Sequence, residues 1–266
     1  MPRTPAPTPI LTVATVGLLL LTGVHLVAQL LDADRVSHAT QVLLMPGLAG
    51  WFLARVPRQQ WGAPMVRLVL LALFFSWLGD TLPRFSSGDT GFLLMVGGFL
   101  VAQLVYAWAF WPARDRSLLR RAPGWLVVYA VVLVGLVVVV APSAKLLTVA
   151  VAGYGLALCA MSVLASGLGR RGLVGGLVFL VSDAMIGLGA FTSLTLPAGG
   201  FWIMLTYVAA QWLLAEAVAR RHPVVAAPDA RPDAAGGSVD QAVVRRSASA
   251  TIAPVSRGIS QRRNSR

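Results

Sequence analysis

The sequence predicts an all-α protein, a polytopic bundle of eight membrane-spanning helices, and three observations carry that prediction. Of the 266 residues, 57% are hydrophobic and only 12% are charged, a balance that excludes an ordinary soluble domain. The apolar residues gather in runs of about 20, the number of helical residues that crosses ~30 Å of hydrocarbon. Prolines and arginines collect between those runs, where a spanning helix ends and water begins.

The runs cover residues 10–31, 37–54, 65–83, 90–111, 123–141, 144–166, 171–193 and 197–219. The first is too long for a signal-peptide core and reads as an uncleaved anchor. The second contains Pro46, which removes a backbone donor and predicts a kink. Pro83 closes the third run and Pro112 the fourth; Pro123 opens the fifth. Pro142 separates the fifth from the sixth, since an unbroken 123–166 run would be about twice the length of one span. The seventh carries Gly172 and Gly176, a small-xxx-small spacing that lets helices pack closely. Pro197 opens the eighth. Residues 1–221 therefore read as one transmembrane domain. From residue 222 onward the composition turns to Ala, Pro, Ser, Asp and Arg without periodicity, which predicts a disordered cytoplasmic tail over 222–266.

A formal charge of +12 would suggest nucleic acid in a soluble protein. Here the arginines lie in connections and tail, where they act as topology signals, so no nucleic-acid partner is expected. With the N-terminus inside, the cytoplasmic connections receive Arg55, Arg58 and Arg67, then Arg114, Arg116, Arg120 and Arg121, then Arg170 and Arg171, then Arg220 and Arg221. The opposite side receives only Arg35, Arg84 and Lys145. That asymmetry predicts a multi-pass protein of the cell membrane with both termini cytoplasmic. The single cysteine, Cys159, removes intramolecular disulfides and cysteine-cluster metal sites. His25, His38 and His222 are too dispersed for a histidine zinc site. The glycines at 172, 175 and 176 belong to an apolar span rather than a strand–loop–helix unit, so no nucleotide cofactor is expected.

Two aspartates break the apolar runs: Asp80 in LLALFFSWLGDTL and Asp183 in GLVFLVSDAMIGL. A carboxylate in hydrocarbon costs roughly 2.5–3.5 kcal/mol on insertion scales, so it is rarely there without a task. No Lys or Arg inside a run is at hand to neutralise either one. Two carboxyls in a dry pocket do not both ionise cheaply, so one is expected to stay protonated beside an ionised partner. That is the arrangement general acid–base hydrolysis needs. The plainer reading is that each carboxyl bonds a neighbouring hydroxyl or backbone carbonyl.

The two carboxyls are echoed in their surroundings. Tyr106 follows Asp80 by 26 residues and Tyr207 follows Asp183 by 24, each in the next run, with Gln103 before the first tyrosine and Gln211 after the second. Both aspartates then lie on the third helix of a four-helix half, which predicts two parallel repeats about an axis along the membrane normal. The echo brings Asp80 and Asp183 to comparable depth in the outer half of the bilayer, on one cavity walled by Tyr106 and Tyr207. Gln103, Ser182 and Gln211 are further candidates for contact with a substrate, with helix-packing glue as the alternative. Ser76 and Ser182 lack a histidine to activate a serine nucleophile. His25 reads as a satisfied packing residue, and Glu216, one turn before Arg220, as a surface ion pair.

At FFSWLGDTL (74–82), GFLVAQLVYAWAF (98–110), GGLVFLVSDAMIGLGAF (175–191) and TYVAAQWLLA (206–215), the chain resembles the YhhN family of membrane proteins, whose characterised members are lysoplasmalogenases. LLMPGLA (43–49) is similar to the family's proline-bearing second helix. The resemblance implies an eight-helix integral membrane hydrolase of the vinyl ether bond in lysoplasmalogens, with Asp80 and Asp183 matching the family's two aspartates. Its substrate would be a lysophospholipid drawn from the membrane lipids, its products a fatty aldehyde and a glycerophospho-base, and no cofactor is implied. Many members carry His where this chain has Gln103, and glutamine bonds but does not shuttle protons near neutral pH. The residues alone leave a second class open, a transporter or proton-coupled carrier, because intramembrane carboxylates and repeated halves also mark transport pathways. A lipid-binding protein with a structural polar core is a third. Cavity shape separates the first two: a carrier needs a path that can open to both faces, a lipid hydrolase one opening and a closed far end.

Overall fold

The computed structural model describes residues 8–194 and 196–222. Among them there is no strand, and eight long helices follow one another: α1 (Pro9–Leu30), α2 (Asp34–Arg55), α3 (Pro64–Thr81), α4 (Gly88–Phe110), α5 (Trp125–Ala144), α6 (Leu147–Ala165), α7 (Arg170–Phe191) and α8 (Gly199–Ala219). Each falls within a few residues of a predicted run. A 22-residue helix such as α1 measures ~33 Å at 1.5 Å per residue, enough to cross the hydrocarbon layer. Seven of the eight are long and apolar enough to span, which makes the chain a multi-pass membrane protein. α2 equals them in length but opens on Asp34, Arg35, Ser37, His38, Thr40 and Gln41. Ser37 and Thr40 bond side chains of α1, and His38 and Gln41 line the candidate site. The predicted tail lies outside the described residues.

One boundary moves. Pro142 does not end α5, which runs through it to Ala144; the chain reverses at Lys145, where φ is +48°. Two residues from a helix end a missing N–H removes only one bond, and the left-handed Lys145 makes the turn instead. Pro46 stays inside α2 and deprives the Val42 carbonyl of its intrahelical donor. Trp77 of α3 fills the vacancy, its indole Nε1 donating to Val42 O at 3.0 Å. An unpaired carbonyl in hydrocarbon costs several kcal/mol, so this bond fixes α3 on α2.

Helices adjacent in sequence pack pairwise, α1 on α2, α3 on α4, α5 on α6 and α7 on α8; α4 on α6, α6 on α7, and α8 against α1, α2 and α3 close the bundle. Leu44, Phe52, Leu73, Phe110, Phe179 and Leu214 are buried in its common core. Close approach at the site comes from glycine. A Cβ on Gly98 of α4 would lie 2.7 Å from both Cα and N of Gly79, so α3 and α4 meet backbone to backbone beside Asp80. The Gly172/Gly176 pair abuts Ala165 and Ser162 of α6, the packing role its spacing predicts.

Two polar residues away from the aspartates complete the frame. His25 bonds the Thr40 hydroxyl at 2.8 Å, and Gln29 donates to Ser37 Oγ at 2.9 Å, tying α1 to α2. Glu216 corrects the surface ion pair expected for it. It is buried, 2.5 Å from Arg220 Nε and 3.4 Å from Arg55 Nε, because α8 turns this face onto α2 and Arg55 reaches across. The result is a clamp joining the ends of α2 and α8.

Candidate functional site

Asp80 occupies the last turn of α3, and three other segments converge on it. Its Oδ2 accepts a hydrogen bond from the Tyr207 hydroxyl of α8 at 2.9 Å, and its Oδ1 one from Gln41 Nε2 of α2 at 3.3 Å. Arg84, on the helical turn Leu82–Phe85 that follows α3, donates Nε to the Asp80 carbonyl at 3.3 Å and an Nη to Gln41 Oε1 at 2.7 Å. The guanidinium can only donate, so it holds the oxygen of Gln41 and turns the amide nitrogen toward Asp80. Tyr207 is fixed in turn by edge-on contacts with Phe99 and Phe179, centroids 5.6 and 5.7 Å away.

Asp183 lies eight residues before the end of α7 and has a sparser environment. Tyr154 of α6 donates its hydroxyl to Oδ2 in a short hydrogen bond, and no other described side chain bonds the carboxyl. Neither aspartate forms an ion pair among the described residues; the pairs found there belong to Glu216.

Both carboxyls line one cavity of about 490 Å³, together with His38, Gln41, Arg84 and Tyr207. That volume lies within the range of small-molecule sites. A narrower, apolar pocket of about 80 Å³ opens between α4, α5, α6 and α7, walled by residues such as Phe92, Val132, Leu136 and Leu158. Met95, Phe99, Asp183 and Ile186 border both spaces. Asp183 thus stands at the seam between a polar chamber and an apolar one.

One helical turn further into the bundle the polar contacts repeat. Ser76 precedes Asp80 by four residues on α3, and Gln211 follows Tyr207 by four on α8. Gln211 Nε2 donates to Ser76 Oγ at 2.9 Å, and its Oε1 accepts from Tyr106 at 2.6 Å. All three side chains are buried. This rung corrects two expectations, because Tyr106 and Gln211 saturate each other below the cavity instead of lining it. Ser182 is likewise spent on structure, donating to the Ile203 carbonyl of α8 at 3.1 Å. Gln103 is buried and lines neither cavity. Its amide approaches the Tyr154 hydroxyl, yet neither of its polar atoms meets a partner at bonding geometry.

Of the residues singled out from the sequence, Asp80, Asp183 and Tyr207 come together at the chamber, while Tyr106, Gln103, Ser182 and Gln211 do not reach it. Tyr154, Gln41, Arg84 and His38 were missed. One signal was available for the first: the chain has four tyrosines, all within helices, and Tyr154 is the one whose hydroxyl reaches Asp183. Among the described residues no cluster of His, Cys, Asp and Glu is arranged to hold a metal ion.

A family model covers residues 36–218, from the first turn of α2 to the last turn of α8. The chain belongs to the YhhN family. The matched stretch includes both carboxyls, both tyrosines that donate to them, Gln41 and Arg84, and leaves α1 outside. Comparison with curated proteins and with solved structures gives no match. YhhN membership is consistent with a hydrolase.

Proposed function

We propose that this chain hydrolyses the vinyl ether bond of lysoplasmalogens, 1-alkenyl glycerophosphocholine or glycerophosphoethanolamine, to a fatty aldehyde and a glycerophospho-base. The observation that carries the reading is the pair of carboxyls on one cavity, bonded so differently. Asp80 accepts two hydrogen bonds and has a guanidinium on the next turn, an environment suited to a carboxylate. Asp183 has one donor and borders an apolar pocket, an environment suited to a carboxylic acid. YhhN membership supports the same reading.

In the reaction, Asp183 gives its proton to the alkene carbon remote from oxygen. The π electrons form the new C–H bond, and an oxocarbenium ion remains at the carbon bearing oxygen. Asp80 steadies that cation and takes a proton from the water that adds to it, much as paired carboxyls do in glycoside hydrolysis. The hemiacetal then collapses. Its hydroxyl proton returns to Asp183, the C–O bond breaks, and Asp80 protonates the departing glycerol oxygen, which restores both groups. Tyr154 and Tyr207 orient the two carboxyls. The apolar pocket suits the hydrocarbon chain beside the acid, and the polar chamber suits the headgroup.

A carrier would need a path through the bundle. Beyond the chamber lie instead the buried Ser76–Gln211–Tyr106 rung, the stacked Tyr106–Phe110 pair and the Glu216 clamp, which favours a site with a closed far end. With the N-in orientation expected from the basic residues, that closed end would face the cytoplasm. The test is to incubate purified protein with 1-alkenyl and 1-acyl lysophospholipids and to measure aldehyde and fatty acid separately. Aldehyde from the alkenyl lipid alone is expected. Fatty acid release, or no aldehyde, would refute the assignment.

A further inference from the structure

We propose that Arg84 is the anion anchor of the chamber, binding the phosphodiester of a single-chain amphiphile and so setting which way round the lipid enters. The inference rests on the lysophospholipid reading above and adds to it a headgroup subsite, a residue for that subsite, and an orientation for the bound lipid.

The starting point is a cation with no ion-pair partner among the described residues, in a place where cations are costly. Arg84 is half-buried on the turn after α3 and lines the chamber with both aspartates. Two of its five N–H groups are used, one on the Asp80 carbonyl and one on Gln41 Oε1, and the other three have no acceptor among the described residues. No described carboxylate lies within ion-pair distance of it, although Arg55 and Arg220 at the opposite end both find Glu216. It is the one Arg or Lys side chain among those lining the chamber. A planar guanidinium with several free donors facing a cavity matches a phosphate diester, whose two non-bridging oxygens accept in parallel.

Position agrees with chemistry. Arg84 stands one helical turn, ~5.4 Å along the axis, beyond Asp80, and it lines the chamber but not the apolar pocket that borders Asp183. In a lysophospholipid the three glycerol carbons separate the chain-bearing oxygen from the phosphate. A lipid with its phosphate on Arg84 and its chain in the apolar pocket therefore lays the linking glycerol and the chain oxygen across the space between the two carboxyls. Reversed entry would put hydrocarbon against a desolvated guanidinium and a phosphate beside the apolar wall. His38, exposed at the same rim, is a second donor within the subsite, whereas Gln41 is already held between Arg84 and Asp80.

Arg84 touches Gln41 and, through its backbone carbonyl, Asp80, so a purely positioning role must be separated from binding. The experiment measures affinity with two uncleavable probes: 1-O-hexadecyl-glycerophosphocholine, which carries the phosphodiester, and 1-O-hexadecylglycerol, which does not. Wild type, Arg84→Gln and Arg84→Lys are compared in detergent by tryptophan fluorescence, with thermal unfolding as the check on folding. Arg84→Gln is expected to weaken the phosphodiester probe about 10- to 100-fold, the worth of hydrogen bonds to a charged group. The neutral probe should change less than about twofold, and Arg84→Lys should recover part of the loss. Equal weakening of both probes, or of neither, would overturn the anchor. Displacement of the phosphodiester probe by inorganic phosphate at lower concentration than by the lipid itself would assign the subsite to free phosphate and overturn the lipid orientation. Because neither probe is cleaved, these outcomes stand whether or not the wild type releases aldehyde, so failure of the anchor and failure of the proposed reaction are distinguishable.

Discussion

Asp80→Asn separates the proposed chemistry from mere polarity at the site. The substitution keeps shape and removes the carboxylate, and the structure indicates how the amide would sit. Gln41 cannot flip, because Arg84 holds its oxygen, so Gln41 still presents an N–H to position 80. The new side chain must therefore turn its oxygen toward Gln41 and its NH₂ toward Tyr207, whose hydroxyl can rotate to accept. Two charge-assisted hydrogen bonds become neutral ones, a loss of about 1–3 kcal/mol. Relief from burying a charge offsets part of that loss, so stability should change by no more than ~2 kcal/mol and the protein should fold. Turnover is different. With no carboxylate to steady the cation or accept a proton from water, aldehyde release should fall ~10²-fold or more, at least ~2.7 kcal/mol of transition-state stabilisation. Asp183→Asn should lose as much, for want of the first proton. Coupling aldehyde release to a nicotinamide-dependent dehydrogenase reads the rate continuously. If the two carboxyls act in one sequence, the double variant should be little worse than the poorer single one. A folded Asp80→Asn protein with wild-type turnover, or a double loss equal to the product of the singles, would refute the shared mechanism.

Tyr154→Phe removes the one hydroxyl that bonds Asp183 and should lower kcat about 10-fold with little change in KM; an effect on KM alone would place Tyr154 in binding instead. Gly98→Ala sets a methyl 2.7 Å from the Gly79 backbone, which cannot yield, so about 1–3 kcal/mol of stability should be lost along with activity. Gly97→Ala, with nothing within 4 Å, is the control and should be tolerated in thermal unfolding. Gln103→Leu removes two buried polar atoms that meet no partner and should leave the unfolding temperature equal or higher; a clear drop would mean that the amide is bonded. Reporter fusions after residues 88 and 195 should read as external, and a cytoplasmic signal at either would overturn the N-in orientation.

The helices were legible because a spanning segment writes itself as one uninterrupted run, and the bounds of α1 to α8 depart from the runs by only a few residues. The exception at Pro142 arises from the same rule: a proline marks where a helix can end, and a left-handed Lys145 could end it two residues later. Asp80 and Asp183 were legible because burial of a carboxylate is visible as a charge in an apolar run. Of their partners, Tyr207 was legible and the rest were not. Gln41, Tyr154 and Arg84 reach the site through contacts of α2 with α3, α6 with α7 and the turn after α3, and helix-to-helix pairing leaves no periodicity in the chain. Local spacing therefore suggested Gln103 and Tyr106, which share a face with each other but not with the chamber.

The failure of the internal echo at one point distinguishes the two carboxyls. If the four-helix halves were equivalent, each aspartate on a third helix would accept from the tyrosine on the fourth helix of the other half. Tyr207 of α8 does donate to Asp80 of α3. The corresponding donor, Tyr106 of α4, goes instead to Gln211, and Asp183 takes Tyr154 from α6. Gln103, one turn before Tyr106, is left without a partner on that side. The consequence is chemical. Two carboxyls in matching environments would compete for the same protonation state, whereas the proposed reaction needs one carboxylate and one carboxylic acid, and two donors with a nearby guanidinium suit the first as a single donor at an apolar wall suits the second. On the proposed reading, the departure from symmetry turns a pair of buried aspartates into an acid and a base. Levelling the two environments should therefore lower catalysis without emptying the cavity: Gln41→Leu takes one of the two donors from Asp80 and leaves each carboxyl with a single tyrosine. Such a protein should still bind the uncleavable ether lipid while its aldehyde release falls. Unchanged turnover in this variant would mean that the unequal bonding of the two aspartates has no part in the reaction.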